Sequence, residues 1–153
     1  MMNQSETITP VPTLEPTQFS SYVRVVLICS GLGILFLFVV ARLLVPNPEG
    51  IGTHRQLGLP PCSFYVFWGI PCPSCGMTTS WSWMLRGQWI LAAQTNAAGL
   101  WLGIWCGLMT PWFIGSGLKG KWIWFQPNVY FGAVFGGTTV AIMFVVWMLK
   151  LFT

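Results

Sequence analysis

Three long, predominantly apolar stretches of this chain carry no Asp, Glu, Lys or Arg, and those apolar runs decide what it can fold into. Arg24 and Arg42 bracket the first, the second runs from Gly87 to Leu118, and Lys150 closes the third. A bilayer core about 30 Å thick requires roughly 20 apolar residues per helical crossing. The expected spans are therefore about 25–45, 97–115 and 129–149. Only 7% of the 153 residues are charged, against roughly a quarter in soluble domains. So few charges cannot cover a surface in water, and the bilayer is the expected partner.

The ends of the spans carry their own signals. Arg42 is close enough to the end of the first to reach the headgroups. Pro111 is expected to kink the second span or end its regular part. Asn128 is placed to cap the third, whose ends carry Trp122, Trp124, Tyr130 and Trp147 as interfacial aromatics. Residues 1–21 are polar and proline-containing, with too little apolar surface to offset their ordering entropy, and read as a disordered tail. The remainder, 22–153, reads as one membrane domain. Gly99, Gly103 and Gly107 share one helical face, and Gly132 and Gly136 repeat the spacing, which predicts close packing or self-association of the spans through these glycines.

Between the first two spans lies a segment, 52–88, of different character. Residues 47–61 form a loop rich in Pro and Gly. Ser63 to Ile70 is apolar but too short to cross. From Gly76 to Leu85, Met77, Trp81, Met84 and Leu85 fall on one face of a short helix, with Thr78, Thr79, Ser80 and Ser82 off it and Gly87 as a stop. Before this helix stands Cys72-Pro73-Ser74-Cys75-Gly76, and the helix N-terminus is expected to favour a thiolate at Cys75. The fold class is thus an all-α membrane protein: three transmembrane helices plus a short interfacial helix carrying the Cys-Pro-Ser-Cys-Gly motif.

Three readings of the cysteines stand side by side. Cys62, Cys72, Cys75 and His54 make a Cys3His set, two ligands from a C-x-x-C knuckle and two from the preceding loop, suited to zinc in a structural or sensory site. Alternatively, Cys72 and Cys75 form a redox pair with Cys62 as the exchanging thiol, a membrane thiol-disulfide oxidoreductase. In the third reading the motif is a structural turn and the chain a structural subunit of a membrane complex. Cys29 and Cys106 lie within spans and read as small packing residues.

Other chemistries lack their residues. The three acids, Glu6, Glu15 and Glu49, are unpaired and outside the spans, and without Asp there is no Ser-His-Asp triad. No phosphate-binding glycine loop is present. The seven basic residues are scattered, unlike the stripe that nucleic acid requires, and fit headgroup contact. No ionisable side chain near mid-bilayer supports a pump. These absences favour a non-enzymatic role.

The run Pro71-Cys72-Pro73-Ser74-Cys75-Gly76-Met77-Thr78, with Cys62 and Gly69-Ile70 before it and Arg86-Gly87-Gln88, Ala92-Ala93 and Asn96 after it, resembles domain-of-unknown-function family 2752. These are small bacterial membrane proteins with a C-P-x-C-G-x-T-R signature and an upstream cysteine. The resemblance extends over about Gly52 to Gly99. It implies a place in the bacterial inner (cytoplasmic) membrane and no established activity. Where the family has Arg after the Thr, this chain has Thr79, so no role of that Arg carries over.

Overall fold

The computed structural model describes residues 18–152; most of the expected tail lies outside these residues. Helix α1 (Ser21–Leu43) opens on Ser20, whose hydroxyl accepts from the Val23 amide at 3.5 Å, and ends ahead of Pro46. A 3-10 turn (Thr53–Leu57) and two short helices follow, α2 (Ser63–Trp68) and α3 (Met77–Met84). Helices α4 (Trp89–Lys119) and α5 (Val129–Phe152) complete the chain. Asn128 caps α5, its side-chain oxygen accepting from the Phe131 amide at 2.7 Å. Helices α1, α4 and α5 are long and apolar enough to cross a membrane, which makes the chain an integral membrane protein in contact with lipid.

The second span departs from expectation at both ends. The helix that carries it begins earlier, at Trp89, and its irregularity is at Asn96 (φ −160°, ψ 102°), not at Pro111, which lies inside the helix. At 1.5 Å per residue, 31 residues reach about 46 Å, more than one bilayer core needs. The break divides them: Asn96 accepts from the Gly99 amide at 2.9 Å and so caps a membrane-crossing section that begins at Ala97. Pro111 supplies no N–H for the Gly107 carbonyl, yet the helix continues past it, and the neighbouring Thr110 hydroxyl donates to the Cys106 carbonyl at 2.7 Å.

Packing around α4 also differs from the glycine expectation. Gly99 and Gly103 receive the short helix α3, not another span. A Cβ on Gly99 would meet Ser80 Cβ at 3.2 Å, and one on Gly103 would meet Met84 Sδ and Trp81 Nε1 at 2.9 Å. A Cβ on Gly107 would be in ordinary contact with Phe38 of α1 at 3.7 Å, and one on Gly132 or Gly136 would meet nothing within 4 Å among the described residues. The close crossing of α1 and α4 uses Gly31, against Ile114, and Gly117, against Ile28 and the Arg24 carbonyl.

Helix α3 buries Thr79, Ser80 and Ser82 together with Met84, so its hydroxyl side is inward as well as the apolar side that sets Trp81 and Met84 against Gly103. The hydroxyls are inward because backbone groups need partners where helices end away from water. Ser80 donates to the carbonyls of Ala92 and Asn96 at the break in α4, at 2.9 and 3.0 Å. Ser82 donates to Leu44 O at 2.9 Å, and Arg86 reaches Arg42 O and Leu44 O, covering the last carbonyls of α1. At the opposite end Arg24 does the same for α4, donating to Gly117 O and Leu118 O at 3.0 Å.

Candidate functional site

The loop after α1 folds on its own polar groups. Asn47 donates through Nδ2 to Ile51 O at 2.6 Å and through its backbone to Thr53 Oγ1 at 3.0 Å. Thr53, in turn, meets Thr79 hydroxyl to hydroxyl at 2.7 Å, in a place both residues occupy with 1% exposure. That pair fastens the 3-10 turn to α3. It also places Thr79, the departure from the C-P-x-C-G-x-T-R pattern, in a buried structural contact.

The cysteine turn is held from three sides. Within it, the Cys75 amide donates to Cys72 O at 3.0 Å and the Met77 amide to Ser74 O at 3.1 Å. Gly76 has φ +86°, and a Cβ there would stand 2.6 Å from the Gly50 carbonyl, so both conformation and space require glycine. Asn96 Nδ2 donates to Cys75 O at 3.0 Å and Pro73 O at 3.4 Å, so the residue that caps the second span also supports the turn. From α5, Trp147 Nε1 donates to Pro71 O at 2.7 Å and Lys150 Nζ to Thr95 O at 2.6 Å.

These supports bring Cys62, Cys72 and Cys75 together, with all three sulfurs within 4.8 Å of one another. Cys72 Sγ and Cys75 Sγ lie 3.1 Å apart and unbonded. They face a cavity of about 280 Å³, also lined by Glu49, His54, Arg55 and Tyr65. His54 is not part of the sulfur cluster: its Nε2 lies 3.3 Å from the Pro60 carbonyl. Cys29 is exposed on α1 and Cys106 half-buried on α4, both outside the cluster.

The thiols divide in acidity, but not as the sequence led one to expect. Burial, reinforced by the Cys72 and Cys62 thiols, pushes Cys75 up to about 12. The lowered thiol is Cys62, at the N-cap of α2, where the Tyr65 amide outweighs desolvation and, with Cys72, Cys75 and the Phe64 amide, brings it down to about 7. Position before a helix is therefore not enough to favour a thiolate at Cys75. Its loss of water decides.

Three sulfurs gathered from two segments can hold a soft metal ion, and the Cys72–Cys75 contact can close to a disulfide with a small movement. Sequence reasoning found these cysteines through their spacing. It missed the supports: Thr53, Lys150 and the Trp147 hydrogen bond carry no local signature. Asn96 carried one, as an Asn directly before an apolar run is a cap signal.

No curated protein and no solved structure matches the chain. Residues 62–110, which contain the three clustered cysteines, α3 and Asn96, match the family model described as protein of unknown function (DUF2752), the family that the cysteine motif resembles.

Proposed function

We propose that the chain is a non-enzymatic membrane module that holds a zinc-like ion at one membrane face, in a structural or sensory site. Cys62, Cys72 and Cys75 supply three ligands, and His54, released from Pro60 by a turn of its ring, supplies the fourth. The observation that carries this reading is the convergence of the three sulfurs within 4.8 Å. Sulfurs on a tetrahedral zinc with Zn–S near 2.3 Å lie roughly 3.8 Å apart, so small side-chain movements suffice. Placement in the bacterial cytoplasmic membrane, which the family resemblance implies, belongs to the same proposal. Elemental analysis of protein purified in detergent tests it: the expected result is near one equivalent of zinc, lost in Cys72→Ser Cys75→Ser. Metal-free protein with an intact fold refutes it.

The 3.1 Å contact of Cys72 with Cys75 favours a second reading, a thiol-disulfide oxidoreductase. In that chemistry the Cys72-Cys75 dithiol is oxidised to a disulfide while an external disulfide takes up two electrons and two protons to leave as two thiols. Cys62, whose thiol the start of α2 lowers to about 7, serves as the exchanging thiol. A metal-free protein whose Cys72-Cys75 bond cycles with added disulfide and reductant supports this reading against the first. Association with a second copy or a membrane partner would use α5, where Gly132 and Gly136 face open space. Cross-linking in membranes, with and without Gly136→Leu, tests that.

A further inference from the structure

At the membrane end opposite the cysteines, α4 and α5 separate around a second cavity of about 300 Å³, at the lower end of the range for small-molecule sites. Ile34 of α1, Trp105, Met109 and Trp112 of α4, and Phe125 and Phe135 face it, and among the described residues no charged or amide side chain lines it. One wall is rigid. Trp112, 3% exposed, stacks on Phe125 at 4.7 Å and on Trp122 at 5.0 Å, with interplanar angles of 7° and 9°. Most of its lining belongs to helices long and apolar enough to cross the membrane, so acyl chains of the surrounding lipid are the apolar groups at hand to fill it.

The charge beside this cavity selects the lipid. Lys119 ends α4, and Lys121 directly precedes Trp122 of the cavity wall; both are exposed and have no partner among the described residues. Arg24, at the same end, is already bound to Gly117 O and Leu118 O. No carboxylate among the described residues lies at this end, as Glu49 belongs to the cysteine face. Basic residues beside a pocket between spanning helices attract anionic headgroups. We propose that this cavity holds one acyl chain of an anionic phospholipid, with the headgroup phosphate on Lys119 and Lys121.

The test is tryptophan quenching by phospholipids brominated on the acyl chain, in vesicles holding the full chain. Brominated phosphatidylglycerol is expected to reach half-quenching at about a ten-fold lower mole fraction than brominated phosphatidylcholine with the same chains. That difference disappears in Lys119→Gln Lys121→Gln and shrinks in Met109→Phe, which fills the cavity. Equal quenching by both lipids in the unaltered protein overturns the proposal. If that equal quenching rises for both on deleting residues 1–17, the tail is the occupant. A preference that survives both variants places the lipid elsewhere and overturns it as well.

Discussion

Helices α3 and α5 both pack on α4, by opposite means. Helix α3, eight residues long, buries Thr79, Ser80, Ser82 and Met84 and is bonded to the backbones of α1 and α4. Helix α5, 24 residues long, has no buried residue. It meets α4 through rings such as Trp105 on Phe135 at 5.3 Å and through the Lys150 bond to Thr95 O, while Trp147 donates to Pro71 O of the cysteine turn. In lipid an apolar surface gains little by touching another, so length and hydrophobicity do not set attachment; close backbone approach and polar pairing do. The firm part of the molecule is therefore the short polar helix behind the cysteine site.

Removing a metal ligand strikes hardest at that firm part. If the ion clamps the loop to α3, its binding energy is local folding energy. Cys72→Ala, Cys75→Ala, Cys62→Ala and, more weakly, His54→Ala are expected to raise protease access and hydrogen exchange across residues 47–88, with membrane insertion unchanged. The redox reading predicts an asymmetry instead, as His54→Ala leaves the Cys72-Cys75 pair formed and the segment protected. Four unaltered segments contradict both readings.

Next in size is Asn96→Ala. It takes a buried cap from the second span and leaves the Cys75 carbonyl without its donor. A cap is worth about 1 kcal/mol and an unpaired buried polar group about 1–3 kcal/mol. Thermal unfolding should show that loss, and metal affinity should fall about 10–100-fold, the usual range for groups that orient ligands. Unchanged stability and affinity would remove Asn96 from the support of the site.

Two leucine substitutions isolate the contrast between α3 and α5. Gly103→Leu must displace Met84 and Trp81, and Trp81 Nε1 is bonded to Gly99 O at 2.8 Å. An overpacking cost of about 1–3 kcal/mol is expected. A Cβ added at Gly132 meets nothing within 4 Å among the described residues, and Gly132→Leu should leave the stability of the isolated chain unchanged. Equal effects in the same detergent would show that α5 is packed as closely as α3.

Much of this was legible in the sequence, for identifiable reasons. Spans announce themselves because lipid demands long uncharged runs, and Asn128 because a capped helix needs an acceptor at its start. The register of α3 was readable, but the burial of its hydroxyl side was not, because Ser80 and Ser82 point at backbone carbonyls freed by structure elsewhere in the chain. Glycine spacing identified a face of α4 without saying what lay on it. The convergence of Cys62 with the C-x-x-C pair followed the expectation of a sulfur site, while the position of His54 outside the cluster depends on the loop carbonyl of Pro60. Local position likewise misjudged Cys75, since burial is a property of the whole fold.

The smallest expected effect separates Cys62 from Cys75 by pH. In reduced, metal-free protein, Cys62 should become alkylated by iodoacetamide with a midpoint near pH 7, while Cys75 remains largely thiol up to alkaline pH. Because the fold lowers Cys62 from 9.0 to about 7, the folded state binds fewer protons there than the unfolded state between those values. Its contribution to stability is present above pH 9 and is lost as pH falls through about 7. Cys75 works in the opposite direction: raised from 9.0 to about 12, it contributes fully below pH 9 and loses that contribution as pH rises towards 12. Peptide-resolved mass spectrometry of alkylation from pH 6 to 9 reads the two thiols separately. A Cys62 midpoint near 9, or a common profile for both, would mean that the start of α2 does not favour the thiolate, and the exchanging role of Cys62 in the redox reading would lose its basis.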